Sequence, residues 1–386
     1  MTTNPDYAKK KILLHIRSLH IGGAERQVVS LAKTMATLGA EVHIATIAAD
    51  GPLEHDLANI PNVQVHDLGK PGLIGKIRYL LRLRSFIKSN RYDAVYGFLP
   101  TPNLGLLVAR TIRHRPRIAW GVRSSGLDLS QYGRRVKWAM RLEKWLSKFS
   151  DRVITNSQAA LEEYRQNGYP YSRLSHIPNA INVERFRPDP TARESVRNEL
   201  GIPDDSPVIG IFARLHPMKD YVTFLKGAKI LVETTPNARF ICAGGTSPDH
   251  STYEHRIKST ATEFGLENRV LWLGPRNDPE SLMAACDLTT LTSNNGEGFP
   301  NSVAESMACG VPCVVTDIGD SAVIAGNFSI VVPPENPEEL ARAWKSALQQ
   351  DQATLKKTAV AARASIIDRY SPSKIAQKTL TILANS

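Results

Sequence analysis

Short apolar stretches alternate with helical patterns along almost the whole chain, and the pattern runs through twice. In the first half the strand-like runs are KILLHIRSL from Lys11, EVHIATIA from Glu41, VQVHDL from Val63, DAVYGFL from Asp93, RIAWGV from Arg117 and RVITNS from Arg152. In the second they are PVIGIFARL from Pro207, ARFICAGG from Ala238, RVLWLG from Arg269, LTTLTS from Leu288, VPCVVTDI from Val311 and FSIVVP from Phe328. Strand-helix alternation at this spacing implies parallel sheets with helices on both faces. Between the two sets, Ile177 to Ser195 (IPNAINVERFRPDPTARES) is rich in Pro, Asn and Arg and reads as a linker. The expected architecture is α/β, with two doubly wound, Rossmann-like domains at residues 1–180 and 181–368. A terminal helix over 369–386, begun at Ser371-Pro372, is expected to cross back to the first domain. Ligands of such sheets sit beyond the C-terminal strand ends, so a cleft between two facing sheets is the expected substrate site.

The composition narrows the class. No apolar run approaches the ~18 residues needed to span a bilayer. The opening MTTNPDYAKKKILLHI reads as a first strand, with no signal peptide. Cys242, Cys286, Cys309 and Cys313 all lie in apolar segments of the second half, the pattern of buried, reduced thiols in a cytoplasmic protein. Cys309 and Cys313 have no further ligand cluster nearby, which argues against zinc. The net charge of +11 is concentrated between Leu73 and Ser150, where seventeen Lys and Arg face three Asp and Glu. The rest of the chain is slightly acidic, so one region is set up for an acidic surface.

The segment GEGFPNSVAESMACG, Gly296 to Gly310, reads as a glycine-flanked turn feeding a helix that Gly310 ends. Free N–H groups and partial positive charge at such a helix start suit an oxygen-rich or anionic ligand. Glu297 sits in the turn and Glu305 inside the helix, where the two carboxylates can accept from hydroxyls on different parts of one elongated ligand. FARLHPMKD then places Arg214 and Lys219 at a strand end entering a helix, two cations suited to a diphosphate. LGPRNDPE puts Gly274, Arg276 and Asp278 in a tight loop whose backbone could meet a flat base. Near the N-terminus, GGAERQ forms a strand–Gly-Gly–helix turn at Gly22 and Gly23, phosphate-friendly for the same reason.

With IPNAIN at the hinge, these motifs resemble family 4 retaining glycosyltransferases of the GT-B fold over nearly the whole chain. The resemblance implies that Arg214 and Lys219 hold the donor diphosphate and Glu297 contacts the transferred sugar. It implies that Gly298, Phe299, Pro300 and Asn301 bind sugar hydroxyls and phosphate, and Glu305 the ribose. Gly22 and Gly23 would approach diphosphate or acceptor from the other domain, and Gly274 and Arg276 would complete the donor pocket. Many members carry a histidine after the strand matching RIAWGV; here GVRSSGLD puts Arg123 and Ser124 there, with Asp128 a further acceptor-side candidate. His20 is another polar candidate beside the glycine turn. A common glutamate after VVTD is replaced by Asp320-Ser321-Ala322.

No two aspartates stand two apart, so a DxD grip on a metal is missing and Arg214 with Lys219 must balance the diphosphate. The resemblance implies retention by front-face attack with no metal and no cofactor, UDP-sugar as donor, and a glycan or lipid-linked glycan as acceptor in cell-surface polysaccharide or lipopolysaccharide synthesis. In QYGRRVKWAMRLEKWLSKFS, Trp138, Leu142, Trp145 and Phe149 share one side of a helix among Arg134, Arg135, Lys137, Arg141, Lys144 and Lys148. That side can pack on a core, the default, or rest on an anionic membrane. LIGKIRYLLRLRSFIKS repeats the theme. The two together favour peripheral membrane contact on the cytoplasmic face. Two competing readings are a GT-B-fold epimerase or phosphorylase, the latter needing lysine-bound pyridoxal, and a nucleic-acid binder. The chain shows no zinc, homeodomain or RRM-type signature, and nucleic acid is not an expected partner.

Overall fold

The computed structural model describes residues 10–48, 51–69, 75–123, 134–246 and 250–384. The chain divides into two units, Met1–Ala180 with Tyr370–Ser386, and Ile181–Arg369. The first unit is built from β1 (Lys11–Ile16), α1 (Gly23–Thr37), β2 (Glu41–Thr46), β3 (Val63–Asp67), α2 (Gly75–Asn90), β4 (Ala94–Phe98) and α3 (Pro100–Gly105). It continues with β5 (Arg117–Val122), α4 (Arg134–Leu146), β6 (Arg152–Thr155), α5 (Gln158–Gln166) and β7 (Leu174–His176). The seven strands are parallel in the order β3-β2-β1-β4-β5-β6-β7.

Strand β1 shows why the sheet needs two covers. Ile12, Leu14 and Ile16 belong to a core cluster that also holds Val28, Leu31 and Met35 of α1, while Leu13 belongs to the opposite cluster with Tyr79, Leu83 and Ile87 of α2. Strands apolar on both faces are what a parallel sheet demands.

The second unit holds α6 (Pro190–Glu199), β8 (Val208–Phe212), α7 (Tyr221–Thr234), β9 (Arg239–Ala243), α8 (Ser251–Glu263), β10 (Val270–Gly274), α9 (Pro279–Ala285) and β11 (Leu288–Leu291). There follow α10 (Asn301–Ala308), β12 (Cys313–Thr316), α11 (Ser321–Ala325), β13 (Ile330–Val332), α12 (Pro337–Leu348) and α13 (Gln352–Tyr370). Its parallel sheet has the order β10-β9-β8-β11-β12-β13, a doubly wound arrangement whose winding reverses between β8 and β11. The last helix, α14 (Pro372–Ala384), packs on α1 of the first unit, contributing Ile375, Ala376, Leu380 and Leu383 to its core.

Two expectations need correction. Ile177–Ser195 is no loose linker. Ile177, Ala180, Ile181, Val183 and Phe186 are buried, and Pro190 already begins α6, capped by Asp189. Arg193 and Arg197 of that helix both grip Asp287 (2.5 and 2.7 Å), which also accepts from the Val208 N–H (2.8 Å). The default core role for Trp138, Leu142 and Trp145 fails as well. These residues are 69%, 46% and 59% exposed, while Glu143 of the same helix is buried. The four cysteines are free and buried, with burial pushing their thiols up in pKa.

Candidate functional site

The second unit's winding reverses where β8 lies beside β11, the place where doubly wound sheets take their ligands. The loops beyond these two strands are stitched together. The Asn294 N–H donates to the Met218 carbonyl (3.0 Å), and the Thr292 hydroxyl donates to the carbonyls of Lys219 (2.8 Å) and Asp220 (3.2 Å). Asp220 takes a left-handed turn (φ 46°, ψ 58°) to cap α7, accepting from the Thr223 N–H and hydroxyl.

Held this way, the Lys219 ammonium ion-pairs with Oε1 of Glu297. The Ser293 hydroxyl donates to the same oxygen at 2.5 Å. The two charged side chains are only 15% and 8% exposed, so each needs its partner. The Ser293 carbonyl is held in turn by the Thr316 hydroxyl (2.6 Å). A third loop closes on the turn from beyond β12. The Asp320 N–H donates to the Gly298 carbonyl (3.0 Å). Gly319, at φ +60°, packs so closely that a Cβ there would lie 2.4 Å from the Glu297 carbonyl oxygen. Only glycine suits both that conformation and that contact.

Phe299 and Pro300 are buried, and Pro300 caps α10. Asn301 opens the helix; Glu305 lies four residues on, ~6 Å along the axis, and is half-buried. Arg214 is exposed on the β8 loop. His216 stands between it and Lys219, its Nδ1 accepting from the Met218 N–H (3.2 Å) and its ring edge-on to His250 at 4.3 Å. Burial foremost, then His250 and the two cations, holds its pKa down to about 4. The imidazole is therefore neutral at pH 7.

Gly274 ends β10 at φ +65°. Arg276, on the same loop, pairs with Asp278 (2.8 Å) and Glu199 (2.9 Å). In the first unit Gly22 caps α1 and Gly23 begins it; a Cβ on Gly22 would meet the Glu25 carboxylate at 2.2 Å. Arg123 follows β5, donating to Asn179 Oδ1 (2.6 Å) and the Tyr96 hydroxyl (3.4 Å) with its guanidinium over the Phe98 ring (4.6 Å). Ser124 and Asp128 lie outside the described residues.

The sequence reading brought Lys219 and Glu297 together. It missed Ser293, Thr292, Thr316 and Gly319, which fix their geometry. Ser293 precedes Glu297 by four residues in a polar loop without periodicity, so no local signal marks it. Gly319 had one, a glycine in the DIGDSAVI segment beyond a strand.

A separate surface belongs to the first unit. Trp138, Leu142 and Trp145 of α4 stand exposed among Arg141 and Lys144, and Ile77 and Leu81 of α2 are 72% and 61% exposed beside Arg78 and Arg82. Both helices cover the same face of the sheet. The side chains of Arg134, Arg135 and Lys137 lie outside what the structure describes. Among the described residues, no helix is long and apolar enough to cross a membrane.

Comparison with known proteins gives the following. A family model described as Glycosyl transferases group 1 matches residues 192–365, and one described as Glycosyltransferase Family 4 matches residues 21–185. A D-inositol 3-phosphate glycosyltransferase of Thermobispora bispora is 26% identical over 361 residues, covering 85% of this chain and 81% of that protein. The UDP-Gal:alpha-D-GlcNAc-diphosphoundecaprenol alpha-1,3-galactosyltransferase of Escherichia coli is 26% identical over 266 residues, 66% of each chain. Among solved structures, Anabaena Alr3699/HepE in complex with UDP and glucose superimposes with a TM-score of 0.85 at 23% identity, covering 98% of this chain and all of that one.

Proposed function

The chain belongs to family 4 of the glycosyltransferases and has the GT-B fold, and on that premise we propose that it moves a sugar from a UDP-sugar, with retention, to a hydroxyl of a glycan or lipid-linked glycan in cell-surface polysaccharide synthesis. The observation that carries this reading is the meeting of Lys219 with Glu297 at the reversal point of the second sheet. A diphosphate there is served by Lys219 and Arg214, and the sugar it bears falls to Glu297 and the turn Gly298–Asn301. Glu305 takes the ribose, and the loop from Gly274 takes the base. The bond between the anomeric carbon and the phosphate oxygen breaks as the acceptor oxygen bonds to the same face. The departing phosphate oxygen takes the acceptor's proton. Arg214 and Lys219 stabilise the charge that builds on the diphosphate, with no metal required. The choice of UDP and of a lipid-linked acceptor is supported by the UDP bound in the Anabaena protein and by the UDP-Gal donor and diphosphoundecaprenol-linked acceptor of the Escherichia coli galactosyltransferase.

The acceptor side is assigned to the first unit, through Gly22, Gly23, Arg123, Ser124 and Asp128. The exposed Trp138, Leu142, Trp145, Ile77 and Leu81, set among basic residues, fit an anionic membrane on the cytoplasmic side.

Thermal unfolding with a panel of nucleotide sugars tests the donor site. A bound ligand at a hundredfold excess over Kd adds ~2.7 kcal/mol. A UDP-sugar is expected to raise the Tm, and Arg214→Ala or Lys219→Ala to abolish the rise. Full donor affinity in both variants would refute the pocket.

A further inference from the structure

Lys219 has one ammonium and, on the reading above, two anionic claimants. One is Glu297, which the structure places on it. The other is the donor diphosphate. A single ammonium serving both would bring a carboxylate and a diphosphate within a few ångströms of each other in a largely buried setting, where like charges repel strongly. The two therefore compete. We infer that Glu297 makes this pocket prefer the sugar-bearing donor over the bare diphosphate product, and that Ser293 is the positioning residue that keeps Glu297 in place when the lysine turns away.

One oxygen is shared by two donors. Lys219 and Ser293 both engage Oε1 of Glu297. If the diphosphate draws the ammonium off, the carboxylate loses a charged partner and keeps a hydroxyl donor, since Ser293 is fully buried and its backbone is pinned by Thr316. A donor then brings sugar hydroxyls, which give the carboxylate new hydrogen bonds in place of the ammonium. Nucleoside diphosphate alone brings none. It draws Lys219 away, offers the carboxylate no sugar hydroxyl in return, and must sit near that negative charge. After transfer the product is that bare diphosphate, so the same carboxylate that holds the donor helps to expel what remains of it.

Titration calorimetry with UDP and with UDP-glucose, GDP run in parallel, tests this on the full chain. The wild type is expected to bind UDP-glucose more tightly than UDP. Glu297→Gln keeps the shape and removes the charge; UDP binding is expected to tighten about five- to tenfold, the order of one charge-assisted contact, while UDP-glucose gains little. Ser293→Ala is expected to leave UDP affinity within about twofold and to weaken UDP-glucose by about fivefold. Ser293→Thr, which retains the hydroxyl, should restore the wild-type ratio. Unchanged or weaker UDP binding by Glu297→Gln overturns the competition. An equal loss for both ligands in Ser293→Ala makes Ser293 merely structural and overturns the positioning role. A wild-type chain that binds neither UDP nor GDP removes the donor-pocket reading itself, a different result from wild-type binding that Glu297→Gln does not change.

Discussion

The second unit spends its polar side chains on its own strand-end loops, whereas the first unit buries polar groups inside and turns apolar ones outward. Beyond β8, β11 and β12, threonine, serine and backbone groups bind loop to loop and hold Lys219 against Glu297. In the first unit, His15 is fully buried between the Ala45 carbonyl (2.9 Å) and the Tyr79 hydroxyl (2.6 Å). Glu143, inside α4, accepts from the Asn103 amide (3.1 Å), which also donates to the Gly121 carbonyl (3.1 Å). Burial pushes the Glu143 carboxyl up. Meanwhile Trp138, Trp145, Leu80, Leu81, Leu142 and Ile77 face solvent. On the proposed function, the contrast teaches that recognition of a small charged ligand is written into loop-to-loop bonding, and contact with an extended surface into what the helices leave uncovered.

The contrast is tested most severely at Glu297. Removal of one preorganised group from the reacting centre costs about 10²–10³ in turnover, roughly 3–4 kcal/mol of barrier. Glu297→Ala is expected to lose that much sugar transfer, read from initial rates, and to lower the Tm as well, because Lys219 loses a largely buried partner, read from thermal melts of the same preparation. Wild-type rates would make the second unit's loop bonding mere packing.

Acid should separate the units next. With Nδ1–H donating to Ala45 and Nε2 accepting from Tyr79, His15 is neutral, and burial holds its pKa at about 4 against 6.5 when exposed. Between those values the unfolded chain binds the extra proton, so stability is present above pH 6.5 and is lost as the pH falls toward 4. The full shift corresponds to roughly 3 kcal/mol. His43 and His66, also lowered by burial, add to it. The second unit has His216, lowered likewise but partly exposed, where water mutes the effect. Hydrogen exchange resolved by peptide should show β1 and β2 losing protection before β8 and β11 as pH drops from about 7 to 5, and His15→Gln should narrow the gap. Equal loss in both sheets would contradict the assignment.

How much of this was legible depends on how local the cause is. Among the described residues, twelve of the thirteen strands stand out as short runs rich in apolar residues, most of them buried on both faces. β7 does not, since Leu174–His176 is three half-buried residues at a sheet edge, too short and too polar to signal itself. The GT-B assignment rests on short motifs that lie within single loops, and these survive in one dimension. The orientation of α4 does not. A stripe of Trp138, Leu142 and Trp145 fits a core or a surface equally well, and what decides is Asn103, forty residues away, claiming Glu143 on the opposite side. Ser293 escaped for the same reason, as its meaning appears only once Glu297 and Lys219 arrive.

A smaller effect probes the uncovered helices. Trp138→Ser with Trp145→Ser should lower partitioning onto anionic vesicles about tenfold, or about 1.4 kcal/mol. Neutralising Arg134, Arg135 and Lys137 should act in the same direction, more strongly at low salt. Stability should hold in each case, because the tryptophans contribute little to the core. Sedimentation with vesicles reads the first and melting the second. Unchanged sedimentation would return α4 to an ordinary solvated face.

The smallest expected change separates a charge at the site from a charge beside it. Arg276 and Lys219 both lie on strand-end loops of the second unit and both are ion-paired. Lys219 is largely buried and its partner is the residue we propose meets the sugar. Arg276 is more exposed, and its partners Asp278 and Glu199 are more exposed still. Exposed pairs contribute about 0–1 kcal/mol. Arg276→Ala should therefore cost less than about 1 kcal/mol in urea unfolding and leave nucleotide affinity within about twofold, whereas Lys219→Ala removes it. A large loss of affinity in Arg276→Ala would mean that its guanidinium leaves Asp278 to reach the ligand, and the donor pocket would then extend along β10 by side chain as well as by backbone.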